Sequence, residues 1–342
     1  MGDYVLRYAL ITLAGFLLAL VVTPLAGRLG LRLGLADTPG GRRKHQGRIS
    51  RLGGLGIAAG FFGALALAQL FRIPTADPNE VMRLWGVVIG AVFMVAFGLL
   101  DDRYDLSSRW QYVGYLIAIV VAIATQIILE RFNNPLTGTL VVLSVWLYIP
   151  LTIFWMMGMI VTVNWLDGLD GLAAGVAAIL AAVLALHMIR VGQYSVAPQA
   201  LALFGAALGF LVYNVSPARV FMGSNGSFVL GYLLGALGLI AGGRVATVLL
   251  VMGIPIVDVA WTILDRIRHR ANTQQGDRRH LHFRLQDAGL STRLIVFGYW
   301  GFCALSGSLA FLFSSRLYKL TALGILGAAT LGLLWYLSRE NV

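Results

Sequence analysis

Apolar runs separated by short polar stretches repeat along the whole chain. A helix needs about 20 apolar residues to cross the hydrocarbon core of a bilayer. Eleven runs are candidate spans, at about 4–26, 53–71, 85–100, 111–129, 138–158, 172–191, 198–214, 227–241, 245–264, 291–313 and 318–338. The pattern predicts an all-α integral membrane protein, residues 1–342 forming a single polytopic domain. Polar loops are expected near 27–52, 101–110, 159–171, 215–226 and 265–290. No linker, low-complexity tract or internal repeat interrupts it. Residues 4–26 lack a small-residue cleavage site, so they are expected to stay as a first helix.

Composition agrees. Hydrophobic residues make up 58% of the chain and charged residues only 12%, where soluble domains are about a quarter charged. Mean hydropathy is +0.81. The 41 glycines suit close helix packing in lipid. Cys303 is the only cysteine, which excludes an intrachain disulfide. The formal net charge of +11 raises nucleic acid as a partner. However, the basic residues lie in short loops beside apolar runs, the pattern of a membrane surface, so no nucleic acid is expected. With residue 1 outside, the inner segments hold 18 of the 26 Lys and Arg residues, counting Arg293. The positive-inside rule then predicts an outer N-terminus and a cytoplasmic C-terminus. Every motif-like polar stretch falls on that cytoplasmic side.

The chemistry concentrates in five stretches. "GLLDDRYDLSSRW" carries Asp101, Asp102 and Asp105 at the end of a span. Adjacent carboxylates repel unless a proton or cation intervenes, although a solvated helix end explains them too. "NWLDGLDGLA" places Asp167 and Asp170 three apart, with Asn164 before them and no base in the loop. A hard cation with oxygen ligands would suit them; a polar turn is the plain alternative. "YNVSPARVFMGSNGS" gathers Asn214, Ser224, Asn225 and Ser227 around a Gly-rich turn, either a phosphate cradle or an ordinary loop. "DRIRHRANTQQGDRRHLHFRL" combines six arginines, Arg279 among them, with His269, His280 and His282; the histidines suit phosphate contacts or a metal. "DTPGGRRKHQGRISRLGG", with Arg43 and His45, suits either lipid headgroups or a polyanionic substrate. Asp258 lies within an apolar run, where an acid is a functional candidate. A flippase or transporter would need polar groups across the bilayer midplane, and the runs mostly lack them.

In this order, "RISRLGG", "GLLDDRYDLSSR", "NWLDGLDGLAAG", "YNVSPARVFMGSNGS", "IPIVDV" and "DRRHLHFRL" resemble the polyprenyl-phosphate N-acetylhexosamine-1-phosphate transferases, glycosyltransferase family 4 type, GlcNAc-1-phosphate branch. The resemblance implies transfer of a sugar-1-phosphate from UDP-GlcNAc to undecaprenyl phosphate, releasing UMP. It further implies Mg²⁺ or Mn²⁺, a cytoplasmic face of the plasma membrane, the lipid bilayer as partner, a role in cell-envelope polysaccharide initiation, and room for a homodimer. By position, Asp101 is the base or acceptor orienter, with Asp102 beside it. Asn164, Asp167 and Ser224 fall at metal positions. Asp170 and Asn214 fall at nucleotide positions. His280 and His282 fall at the diphosphate, with Arg279, Arg43 and His45 as further substrate contacts. Ser224 stands where the family usually has Asp, Phe283 where it has His, and Val161 where it has Asn. Two further expectations stay open. One is the muramyl-pentapeptide branch of peptidoglycan synthesis; the other is a catalytically silent protein that binds polyprenyl phosphate or nucleotide.

Overall fold

The computed structural model describes residues 2–37, 47–75, 77–134, 137, 139–242, 245–269, 279–313 and 316–339. Apolar sequence without intervening polar breaks folds into long helices whose backbone groups bond internally, as a lipid environment requires. Helix α1 covers Gly2–Arg32, and a short antiparallel pair, β1 (Ala36–Asp37) with β2 (Ile49–Ser50), leads into α2 (Gly54–Leu70). Then follow α3 (Glu80–Tyr104), α4 (Ser108–Ala124), the hairpin β3 (Arg131–Asn133) and β4 (Leu140–Val142), and α5 (Val145–Leu166). The second half contains α6 (Leu172–Arg190), α7 (Ala197–Asn214), α8 (Ser224–Ile240), α9 (Val245–Val251) and α10 (Gly253–His269). It ends with α11 (Leu281–Asp287), α12 (Thr292–Leu312) and α13 (Arg316–Arg339).

Helix α8 is the centre. Every residue from Asn225 to Ile240 is buried, as a helix apolar on all sides must be. Helices α2, α3, α5 and α6 pack around it, α1 and α7 lie outside α2, and α10, α12 and α13 extend the far flank. Its 17 residues rise about 26 Å at 1.5 Å per residue, short of the roughly 30 Å hydrocarbon core. Small residues let the neighbours approach. A Cβ on Gly98 would strike the Ser224–Asn225 backbone, and one on Gly54 would strike the backbone of Gly226. Thus α3 and α2 touch the first turn of α8 along its backbone.

The all-α membrane architecture holds, while two of the expected spans and one loop have different bounds. Among the described residues, seven helices are long and apolar enough to cross a membrane, or eight if the pair α9–α10 counts as one span. Helices α2, α4 and α8 are apolar but shorter. The span expected at 245–264 is broken, because α9 and α10 meet at 83° around Met252. Gly253 and Pro255 follow, and Pro255 falls in the first turn of α10, where its missing N–H costs nothing. The span expected at 138–158 begins late. Residues 140–142 pair as a strand, where Val141 and Val142 suit extended backbone, and α5 runs from Val145 to Leu166. The loop expected at 159–171 therefore shrinks to Asp167–Gly171, and Asn164 is helical.

The glycine contacts can be checked in detergent by thermal unfolding. Gly54→Ala should destabilise by about 1–3 kcal/mol, the usual cost of overpacking. Gly158→Ala, where a Cβ meets nothing within 4 Å, should leave the melting temperature unchanged or slightly raised. Equal curves for the two variants would refute the close approach of α2 to α8.

Candidate active site

The last turn of α3 presents Asp101 and Asp102 to the first turn of α8. Gly223, at φ +71, turns the chain into α8 with a backbone geometry that favours glycine. The opening N–H groups of α8 have no capping side chain of their own. Asp102 supplies the cap from another helix. Its Oδ1 accepts from the Ser224 N–H at 2.9 Å, and its Oδ2 accepts from the Asn225 N–H at 3.0 Å and from Asn225 Nδ2 at 2.6 Å. Asn225 Nδ2 also donates to the Arg51 carbonyl at 2.9 Å. Buried Asp101 faces the other way, accepting from Gln111 Nε2 at 2.9 Å and from Ser224 Oγ at 2.5 Å. The adjacent acids thus have separate sets of donors, which offsets their repulsion without a shared cation. Asp105 is exposed and ends α3 at φ +50; it serves the turn.

The second acidic stretch lies at the end of α5. Asn164 Oδ1 accepts from Ser227 Oγ at 3.0 Å, tying α5 to α8. Asp170 Oδ2 accepts from the Ala218 N–H at 3.0 Å. Asn214 is buried and used at both ends of its amide, accepting from the Gly171 N–H at 2.9 Å and donating to the Val220 carbonyl at 3.0 Å. Asp167 differs from all of these: its carboxylate has no hydrogen-bond partner among the described residues. Burial, and then the charges of Asp102 and Asp170, push its pKa well above the ordinary carboxylate range. Acids from both stretches therefore meet in one electrostatic cluster, with Asp167 as the member to which no described residue donates.

The histidine stretch packs beneath the same loop. Asp258, buried in α10, accepts from the Leu281 N–H at 2.7 Å and lies 3.0 Å from His280 Nδ1, which fixes the start of α11. The His280 and His282 rings stack with centroids 5.5 Å apart, and Trp165 lies against His280 at 5.2 Å. A Cβ on Gly168 would come within 2.6 Å of His282 Nε2, so only glycine lets the loop close over that ring. His282 is fully buried, and neither ring nitrogen has a hydrogen-bond partner among the described residues. Burial, aided by His280, lowers its pKa to about 3, so the ring is neutral. Arg279 pairs with Asp265 at 2.9 Å, and Arg266 lies over the Trp165 ring at 4.8 Å. Arg43 and His45 lie outside the described residues.

Among the described residues no three His, Cys, Asp or Glu side chains form a ready-made metal site. The three expected metal positions differ in availability. The Ser224 hydroxyl is given to Asp101 and the Asn164 oxygen accepts from Ser227, leaving Asp167 free. That donor set suits Mg²⁺, which takes one or two carboxylates and completes its shell with water and substrate phosphate. It does not suit an ion caged by protein alone. Sequence reasoning missed Gln111, which holds Asp101, and Trp165, which bridges α5 to His280 and Arg266. A lone amide in "SSRWQYVG" was the only signal for Gln111; its partner is ten residues away.

Comparison with known proteins adds independent findings. The family profile described as glycosyl transferase family 4 matches residues 84–242. A Bacillus subtilis strain 168 protein named probable undecaprenyl-phosphate N-acetylglucosaminyl 1-phosphate transferase is 30% identical over 302 residues, 86% of this chain and 82% of the relative. A Mycobacterium tuberculosis decaprenyl-phosphate N-acetylglucosaminephosphotransferase is 29% identical, with 94% and 88% of the two chains covered. A Yersinia pestis undecaprenyl-phosphate alpha-N-acetylglucosaminyl 1-phosphate transferase is 26% identical, covering 81% and 76%.

Two measurements test this geometry. At position 102 all three partners are N–H donors, so an Asn amide must turn its NH₂ toward one of them. At position 101 the Ser224 hydroxyl can turn round and accept. Asp102→Asn should therefore cost about 1–3 kcal/mol of stability, and Asp101→Asn clearly less, by thermal unfolding. The reverse order would remove Asp102 as the cap of α8. For Asp167, a folded-state pKa above the unfolded value of about 3.9 means that stability falls as pH rises from the unfolded to the folded pKa. In EDTA at pH 7.5, Asp167→Asn should melt several degrees higher than the parent, with the gain vanishing near pH 4. No gain at pH 7.5 would contradict the strained carboxylate.

Proposed function

This chain belongs to glycosyl transferase family 4, and we propose that it transfers N-acetylglucosamine-1-phosphate from UDP-GlcNAc to undecaprenyl phosphate, releasing UMP. The observation that carries the proposal is the convergence of Asp101, Asp102, Asp167 and Asp170 at one end of an apolar bundle. They do so in a chain whose relatives are named for this transfer.

The acceptor is a phosphate monoester with a second pKa near about 6, so it is mostly dianionic at neutral pH and needs little deprotonation. One of its oxygens attacks the β-phosphorus of the donor. The bond from that phosphorus to the oxygen bridging it to the α-phosphate breaks, and UMP leaves with that oxygen. Positioning and neutralisation of charge do most of the work in such a transfer. Asp101, held by Gln111 and Ser224, orients the acceptor and takes any residual proton. Asp102 keeps the first turn of α8 in place rather than reacting. Asp170 and Asn214 shape the wall for the nucleotide, and His280, His282 and Arg279 line the diphosphate side, with Arg43 and His45 as further contacts. Mg²⁺ or Mn²⁺, held by Asp167 with substrate phosphates, would supply the positive charge that this acidic cluster lacks.

In the same proposal α2, α4 and α8 complete eleven crossings together with the seven longer helices and the broken pair α9–α10. The N-terminus is outside, and the acidic end of the bundle faces the cytoplasm at the plasma membrane. A second copy of the chain is the expected protein partner, and the product starts a cell-envelope polysaccharide.

The test is UMP release by purified protein in detergent with undecaprenyl phosphate and UDP-GlcNAc, titrating Mg²⁺ and Mn²⁺ from zero. Metal-dependent UMP is expected, with Asp101→Asn and Asp167→Asn each reducing the rate at least about 100-fold, as loss of a transition-state contact does. Binding of polyprenyl phosphate without UMP from any UDP-sugar would make the chain a silent carrier instead.

A further inference from the structure

The end of the bundle opposite the acidic cluster holds a small pocket with polar groups in its lining. It has a volume of about 160 Å³ and lies between the end of α2, the start of α3 and the start of α7. Leu65, Val81 and Leu84 give it apolar walls. Three polar groups that line it are not fully used inside the protein. Gln199 is only 3% exposed, and neither end of its side-chain amide has a hydrogen-bond partner among the described residues. Glu80 accepts from Ser195 Oγ at 2.7 Å and from Thr75 Oγ1, but both donors use Oε2, leaving Oε1 without a partner among the described residues. Arg72, held at φ +44 just past α2, has a guanidinium with no partner among them either.

Buried amides are nearly always hydrogen-bonded, so an unpaired one marks a place that something else completes. The pattern of groups specifies what fits. Glu80 Oε1 and the Gln199 oxygen call for N–H donors, which a primary ammonium supplies threefold. A guanidinium matches phosphate oxygens. Beside the pocket the surface is greasy, with Leu70 75%, Val81 63% and Trp85 58% exposed. Val81 and Trp85 are four apart and share a face of α3, and a tryptophan near a helix end is typical of the membrane interface.

We propose that this pocket binds the headgroup of a phospholipid carrying a phosphate and a primary ammonium, in the leaflet opposite the transfer site. The ammonium donates to Glu80 and Gln199, the phosphate pairs with Arg72, and the acyl chains run along Leu70, Val81 and Trp85. The site is separate from the acidic cluster and does not depend on the transfer reaction.

The test uses the full chain in nanodiscs of equimolar phosphatidylethanolamine, phosphatidylcholine and phosphatidylglycerol, with retained lipid read by native mass spectrometry. Phosphatidylcholine lacks the N–H donors and phosphatidylglycerol lacks the cation. Phosphatidylethanolamine should be retained over both by about tenfold, the factor one charge-assisted hydrogen bond supplies. Glu80→Gln and Gln199→Met should each bring the ratio close to one. Gln199→Met removes no bond within the protein, so it reads out the pocket even if Glu80→Gln folds poorly. Equal retention of the three lipids, or a preference unchanged in Gln199→Met, would leave the pocket to water and overturn the proposal. Displacement of the lipid by soluble glycerophosphoethanolamine would assign the pocket to a free solute and overturn the lipid as occupant.

Discussion

Asp102 holds the start of α8 from the end of α3, and much of the site hangs on that one carboxylate. It accepts two backbone N–H groups and one side-chain amide, each a charge-assisted bond of about 1.5–3 kcal/mol in favourable settings. Because α8 is buried along its length, its first turn cannot rely on water to satisfy those donors. The contact also sets the orientation of Ser224, whose hydroxyl reaches Asp101 at 2.5 Å, and of Asn225, which ties in the Arg51 carbonyl. Without it, three segments far apart in sequence would lose their common anchor.

Around that anchor the acids divide by role. Asp101, Asp102 and Asp170 each accept hydrogen bonds, so their charges are met by protein donors. Asp167 has none among the described residues and lies in the field of Asp102 and Asp170. Two neighbouring acids raise the cost of that charge, so Asp167 is the carboxylate in the cluster most open to an outside partner. Ser224 fits the same division. A hydroxyl can bond Asp101, whereas a second carboxylate so close would repel it unless a cation lay between. The carboxylate without a protein donor among the described residues thereby lies on the loop after α5.

The histidines follow a different logic. His280 is anchored by Asp258, and His282 is buried and neutral beneath Gly168. A neutral ring under the acidic loop packs against Gly168 and Phe283 without adding charge of its own. The bend between α9 and α10 brings this about, since it turns α10 so that Asp258 meets the start of α11.

By itself the sequence determined the class of fold and the identity of the acids. Apolar runs long enough for a bilayer leave helices as the main solution, and acids beside such runs stand out because their cost there demands a reason. Each of the eleven runs corresponds to a helix or, at α9–α10, to a broken pair. The tertiary structure alone decided which acid caps a helix, which is satisfied and which is left open. Those roles depend on donors more than a hundred residues away, as Ser224 and Asn225 are from Asp101 and Asp102. Likewise the buried amide oxygen of Gln199, without a partner among the described residues, could not be read from its neighbours in sequence, because such a gap becomes visible only once the surrounding helices are in place.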